Sequence, residues 1–151
     1  EGLAFYDRVL DELEKHGIEP LVTISHYETP LHLARNYGGW MSRELIGFYE
    51  RYCRVLFERY GERVKYWLTF NEINSVLHFP LMSGGILTPT DQLSQQDLYQ
   101  AVHHELVASA RATRLARPGS DSTISGFRPD PERCSATYSA AARSPGPDPS
   151  P

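Results

Sequence analysis

The sequence predicts an α/β fold built on parallel strands, and three observations carry that reading. Two short runs rich in β-branched and aromatic residues, at 21–25 and 64–70, have the near-continuous apolar character of strands buried on both faces. A long amphipathic helical pattern separates them, too long for a hairpin connection. Each run then breaks off into polar residues, His26-Tyr27-Glu28 after the first and Asn71-Glu72 after the second. Strand, helical crossover and strand make a βαβ unit, with the crossover expected to be right-handed. Its strands run parallel, so the two polar ends emerge at one edge, where α/β sheets and barrels of alternating strands and helices place their chemistry.

Composition narrows the function classes. The 151 residues are 40% hydrophobic and 23% charged, with a net charge of −4. That suits one mildly acidic domain with a real core. No basic patch or arginine-rich run suggests a nucleic-acid partner. No apolar stretch approaches the roughly 20 residues that span a bilayer, so no membrane partner is expected. Cys53 and Cys134 do not make a disulfide framework. Cys53 falls on an apolar helical face as a small hydrophobe, and a reducing, cytoplasmic setting is expected. The chain opens on Glu1-Gly2-Leu3 without an initiator Met or signal pattern, as a piece of something larger would.

The elements follow from the chain in order. Tyr6, Val9, Leu10 and Leu13 recur at helical steps, and Gly17 closes that first helix. Pro20 introduces the first strand. A loop with Tyr37-Gly38-Gly39-Trp40 as its turn leads to Ser42, a candidate N-cap for a long helix that Gly61 ends. The inner face of that helix reads Leu45, Tyr49, Tyr52, Cys53, Leu56 and Tyr60, with charges outside the stripe. After the second strand comes a loop with Pro80, Gly84-Gly85 and Pro89. Ser94-Gln95-Gln96-Asp97 then has the form of a capping box and opens a helix reaching about Leu115, with Leu98, Val102, Leu106 and Ala110 on one face. From Arg117 the composition changes: seven of the 11 prolines follow, among Ser, Gly, Arg and Ala, with Ile124, Phe127 and Tyr138 as the large hydrophobes. So few apolar groups do not offset the entropy of ordering, and residues 117–151 are expected to be a disordered tail, of a composition resembling out-of-frame translation.

The polar strand ends suit glycoside chemistry. Breaking a glycosidic bond requires a general acid for the leaving oxygen and a second carboxylate opposite it. Glu72 is the candidate acid. Asn71 offers both a donor and an acceptor to a sugar hydroxyl, and His26 can do the same from the neighbouring strand. A strand-end Glu is more often an ordinary loop residue and a lone His more often structural; the pairing of two polar strand ends favours the site. Other patterns lead nowhere. His104-Glu105-Leu106-Val107-Ala108 begins like a zinc-protease helix, but Ala108 replaces the closing His, and His103-His104 cannot share a helix face. No metal site is expected. Gly38-Gly39 lacks the helix start of a phosphate-binding loop. The seven tyrosines from Tyr6 to Tyr66 read as packing and rim.

Residues 2–116 resemble glycoside hydrolase family 1, and most closely its bacterial 6-phospho-β-glucosidase branch. Three segments carry the resemblance in matching order and spacing: Thr23-Ile24-Ser25-His26-Tyr27-Glu28-Thr29-Pro30, Tyr37-Gly38-Gly39-Trp40 and Thr69-Phe70-Asn71-Glu72-Ile73-Asn74. Plain β-glucosidases of the family usually have Pro after the Glu, where this chain has Ile73. The resemblance implies a fragment of a (β/α)8 barrel, about two parallel strands and three helices. It implies retaining hydrolysis of 6-phospho-β-glucosides, a small-molecule sugar partner and no cofactor. By position, Glu72 would be the acid/base, Asn71 the ligand of the sugar 2-hydroxyl and His26 the contact to a neighbouring hydroxyl. Tyr27 would line the same subsite, and Trp40 would be structural.

The family's nucleophile is a second Glu in a Thr-Glu-Asn-Gly motif, which does not occur in this sequence, and its phosphate-binding Ser, Lys and Tyr are not matched either. The chain alone is therefore expected to be inactive. The alternatives are a non-catalytic truncated product or a sugar-binding remnant; within the enzymes they are a plain β-glucosidase or a 6-phospho-β-galactosidase.

Overall fold

The computed structural model describes residues 1–116; the expected disorder of 117–151 falls outside the described residues. Its centre is the βαβ unit. Strand β1 (Leu21–Ser25) pairs in parallel with β2 (Tyr66–Phe70), Leu21 opposite Tyr66 and Ser25 opposite Phe70. The crossover contains α2 (Leu31–Tyr37), a short 3₁₀ turn at Gly39–Met41 and the long α3 (Glu44–Tyr60). Helix α1 (Gly2–Lys15) precedes the sheet. A 3₁₀ turn at Ile73–Leu77, α4 (Pro80–Gly84) and α5 (Gln95–Leu115) follow it.

The helix ends behave as their residues dictate. Gly17 sits at φ +63, its N–H bonded to Glu14 and that of Ile18 to Leu13, which satisfies the last carbonyls of α1. At the start of α5, Ser94 Oγ accepts from the Asp97 N–H while the Asp97 carboxylate accepts from the Ser94 N–H at 2.9 Å. Helix α3 begins at Glu44, and Ser42 contributes from just outside, its hydroxyl accepting the Glu44 N–H at 3.3 Å.

Several expected boundaries and faces move. Strand β2 starts at Tyr66 rather than Val64, because the Val64 N–H is still bonded to Tyr60 and its carbonyl accepts the Trp67 indole N–H. The stretch expected as loop after β1 contains α2, and the one after Asn74 contains α4. On α3, Ile46 and Phe57 join the buried stripe, while Tyr52 is 48% exposed beside an open, mainly apolar cavity of about 570 Å³ along β1. On α5 the inner face is Leu98, Ala101, Ala108, Ala112 and Leu115, whereas Leu106 and Ala110 point outward. The small alanines let α5 lie close on α3. The core between these layers is aromatic: Tyr49 stacks on Phe70 at 4.4 Å, Trp40 meets both edge-on, and Phe57 meets Trp67. Burial pushes the Tyr49 phenol well above its usual range, and it donates to the Thr69 carbonyl. The Thr69 hydroxyl in turn bonds Ser109 on α5, so the last turn of β2 is held from both sides.

Candidate active site

The sheet ladder continues one residue past β2, the Asn71 N–H donating to the Ser25 carbonyl at 2.9 Å. That bond fixes the register in which the two polar strand ends meet. Immediately beyond it, each chain turns through left-handed backbone: Tyr27 at φ +73 and Glu72 at φ +36. Among the described residues these are the non-glycine positions with positive φ, a conformation that costs on the order of 1 kcal/mol or more and concentrates at functional sites. The turns bring the side chains together rather than along the strand direction.

The result is a compact polar cluster. Tyr27 donates its hydroxyl to Glu72 Oε2 at 2.7 Å, and Asn71 Nδ2 donates to the Tyr27 oxygen at 2.9 Å. Ser75 Oγ lies 3.1 Å from the Tyr27 hydroxyl and donates to Glu72 Oε2 at 3.3 Å. Burial above all, with the Glu72 carboxylate adding to it, raises the Tyr27 phenol above its ordinary value, so it remains a donor. The Glu72 side chain is otherwise open to solvent.

His26 stands at the same edge, exposed, with its ring 5.1 Å from that of Tyr27 and edge-on to it. Its backbone N–H donates to the Glu28 carboxylate, which shapes the turn after β1. All four residues singled out by sequence, His26, Tyr27, Asn71 and Glu72, thus lie together at the carboxyl ends of β1 and β2. Ser75 was not among them. The signal lies in its spacing: it follows Glu72 by three residues in a tight helical turn, which returns its side chain to the same side.

Behind the cluster, glycines set the distance between loops. A Cβ on Gly39 would come within 2.4 Å of the carbonyl oxygens of Gly84 and Gly85, and one on Gly85 would meet the Thr29 side chain at 2.6 Å. The Tyr37-Gly38-Gly39-Trp40 turn and the end of α4 are therefore packed backbone to backbone, and the Thr29 side chain of the loop after β1 closes on the Gly85 backbone. Trp40 is buried at 4% exposure within the aromatic core, as a structural residue would be.

The chain is similar to known proteins in sequence and in fold. The sequence profile of Glycosyl hydrolase family 1 matches residues 1–128. The 6-phospho-beta-glucosidase of Clostridium longisporum is 66% identical over 115 residues, which make up 76% of this chain and 24% of that protein. The aryl-phospho-beta-D-glucosidase BglH of Bacillus subtilis is 57% identical over 114 residues, again 76% of this chain and 24% of the other. Among solved structures, the family 1 b-glucosidase from Thermotoga maritima matches with a TM-score of 0.65 at 40% identity, over 76% of this chain and 25% of that one. The chain thus spans about a quarter of the length of these relatives. Its two parallel strands and their helices are part of a TIM barrel, and the chain belongs to glycosyl hydrolase family 1.

Proposed function

We propose that this segment supplies the acid/base half of a retaining β-glycosidase that hydrolyses 6-phospho-β-glucosides in the cytoplasm. The observation that carries the reading is Glu72: a carboxylate at the carboxyl end of a parallel strand, turned out by left-handed backbone and held at one oxygen by Tyr27. The similarity to proteins named as phospho-β-glucosidases supports the phosphorylated substrate class.

In this reading Glu72 protonates the glycosidic oxygen as the bond breaks, and the same carboxylate then takes a proton from the attacking water. Asn71 binds the sugar 2-hydroxyl. Its Oδ1 is available for this while Nδ2 is engaged with Tyr27. His26 contacts a neighbouring hydroxyl, and Tyr27 lines the subsite with its ring. The nucleophilic carboxylate comes from outside this sequence, which has no Thr-Glu-Asn-Gly motif. Residues 1–151 alone are consequently inactive.

The test is Glu72→Gln in the full-length protein that carries this segment, assayed on 6-phospho-β-glucosides with poor leaving groups. General acid catalysis contributes about 10²–10⁴-fold, and a loss of that size is expected. Retained turnover refutes the role of Glu72. A wild-type protein that cleaves only unphosphorylated β-glucosides refutes the substrate class instead.

A further inference from the structure

The two oxygens of Glu72 have different surroundings, and the difference has mechanistic content. Oε2 receives Tyr27 at 2.7 Å and Ser75 at 3.3 Å. Among the described residues no hydrogen bond reaches Oε1. Asn71 Nδ2 can only donate, so the phenolic oxygen accepts from it and keeps its single proton for an acceptor. The Glu72 carboxylate at 2.7 Å is the nearer and more strongly accepting of the two that face it, the Ser75 hydroxyl lying at 3.1 Å.

We propose that Tyr27, assisted by Ser75, is a positioning residue that pins Oε2 of Glu72 and leaves Oε1 as the oxygen that carries the catalytic proton. This rests on the reading of Glu72 as the acid/base. A retaining hydrolase uses one carboxyl group in both protonation states, first as acid and then as base. A donor to Oε2 suits both. In the neutral acid, Oε2 is the carbonyl oxygen and still accepts from Tyr27, while the proton sits on Oε1. In the carboxylate, Oε2 accepts the same bond more strongly. The proton leaves Oε1 for the glycosidic oxygen as that oxygen takes the electron pair of the breaking C–O bond and the nucleophilic carboxylate from outside this sequence bonds the anomeric carbon. In the second half-reaction water gives a proton to Oε1 and its oxygen to the anomeric carbon, releasing that carboxylate. Tyr27 keeps its own proton throughout and no side chain has to turn over.

The bond also explains why the two strained turns occur as a pair. Tyr27 and Glu72 each hold left-handed backbone at the end of a different strand, and the hydroxyl–carboxylate contact is what those two turns bring about. Strain of this kind persists where the surroundings over-determine it. Here the surroundings include the ladder bond from Asn71 to Ser25 on one side and the Ser75 turn on the other.

The experiment is a leaving-group series. Tyr27→Phe in the full-length protein is compared with wild type on aryl 6-phospho-β-glucosides whose phenols range from strongly to weakly acidic. Misplacing the acid affects the substrates that need protonation. The expected loss in kcat/KM is about 10–100-fold for the poorest leaving group, and at least tenfold smaller for the best. KM for the poorest leaving group should change by less than about threefold, the loss falling on kcat. Ser75→Ala should show the same bias at smaller size, and serves if Tyr27→Phe does not fold. A uniform loss across the series overturns the proposal, since that is what a lost sugar contact or a general structural defect gives. No loss in either variant overturns it as well. Glu72→Gln run on the same series separates this inference from the reading beneath it. If Glu72→Gln shows the leaving-group bias and neither Tyr27→Phe nor Ser75→Ala does, only the positioning role falls. If Glu72→Gln shows none, both fall.

Discussion

His104, in the middle of α5, bonds through Nδ1 to the backbone carbonyl of Trp40 at 2.9 Å. A carbonyl can only accept, so Nδ1 carries the proton, and the unprotonated Nε2 accepts from the Gln100 amide at 3.0 Å. The ring is a clamp between α5 and the Gly39–Met41 turn. At 5% exposure it leaves little room for water to replace it. His104→Ala is therefore expected to cost about 2–4 kcal/mol of unfolding free energy, from an unpaired carbonyl together with a cavity. Denaturant titration measures it. A cost within about 0.5 kcal/mol, the range of ordinary surface changes, would show that the clamp contributes little.

Glycine substitutions should rank by what a Cβ would meet. Gly17 and Gly39 share φ +63, but at Gly17 a Cβ would enter open space, whereas at Gly39 it would strike two backbone oxygens. Gly17→Ala is expected to cost about 1–2 kcal/mol, the conformational penalty alone. Gly39→Ala should cost clearly more, since the carbonyls of Gly84 and Gly85 cannot move without shifting the end of α4. Equal costs at the two positions would mean that α4 yields freely to the added atom.

This contrast also marks what the sequence could show. The βαβ unit and the juxtaposition of His26, Asn71 and Glu72 were legible because strand composition, a long crossover and polar strand ends are local signals; Tyr27 entered through the family resemblance. The capping box at Ser94 was legible for the same reason. The inner face of α5 was not. Leu106 outranks Ala108 on any hydrophobic scale, yet Ala108 is buried and Leu106 is 42% exposed, because closeness of approach to α3 decided the face. Helices α2 and α4 were hidden by brevity: seven and five residues are too few for a period to declare itself. The bond from Tyr27 to Glu72 depends on two left-handed turns that no residue type there announces, and Ser75 becomes visible only through it.

Glu105 should make stability depend on pH. It is 2% exposed on the inner side of α5, and burial pushes its carboxyl up to about 9 from an ordinary value of 4.5. Between those two pH values the folded protein holds a proton that the unfolded chain has released. Stability from this group is thus complete below about pH 4.5, declines as pH rises toward 9 and levels off beyond. The slope is at most about 1.4 kcal/mol per pH unit. Glu105→Gln keeps the shape without the proton. It is expected to flatten the dependence across the neutral range and to be more stable than wild type at pH 8. Parallel curves for the two proteins would place the pH dependence elsewhere.

Helix α1 presents the opposite case, an element held by charge. Leu10 is its one buried residue, while Phe5 and Tyr6 are 54% and 58% exposed. Arg59 at the end of α3 forms a two-pronged bond to Asp7, and Arg63 just beyond reaches both Asp11 and Glu14. The Tyr60 hydroxyl adds a bond to the Leu3 carbonyl at 2.7 Å. Exposed ion pairs are screened, with a Debye length near 10 Å at 0.1 M salt and about 3 Å at 1 M. Amide hydrogen exchange in α1 is therefore expected to speed up between those two salt concentrations, while the core of α3 stays protected. Arg59→Gln combined with Arg63→Gln should speed exchange in α1 already at low salt and remove most of the further response to salt. Exchange in α1 that ignores salt in the wild type would mean that Leu10 and the Tyr60 bond hold the helix, and that the arginines only decorate it.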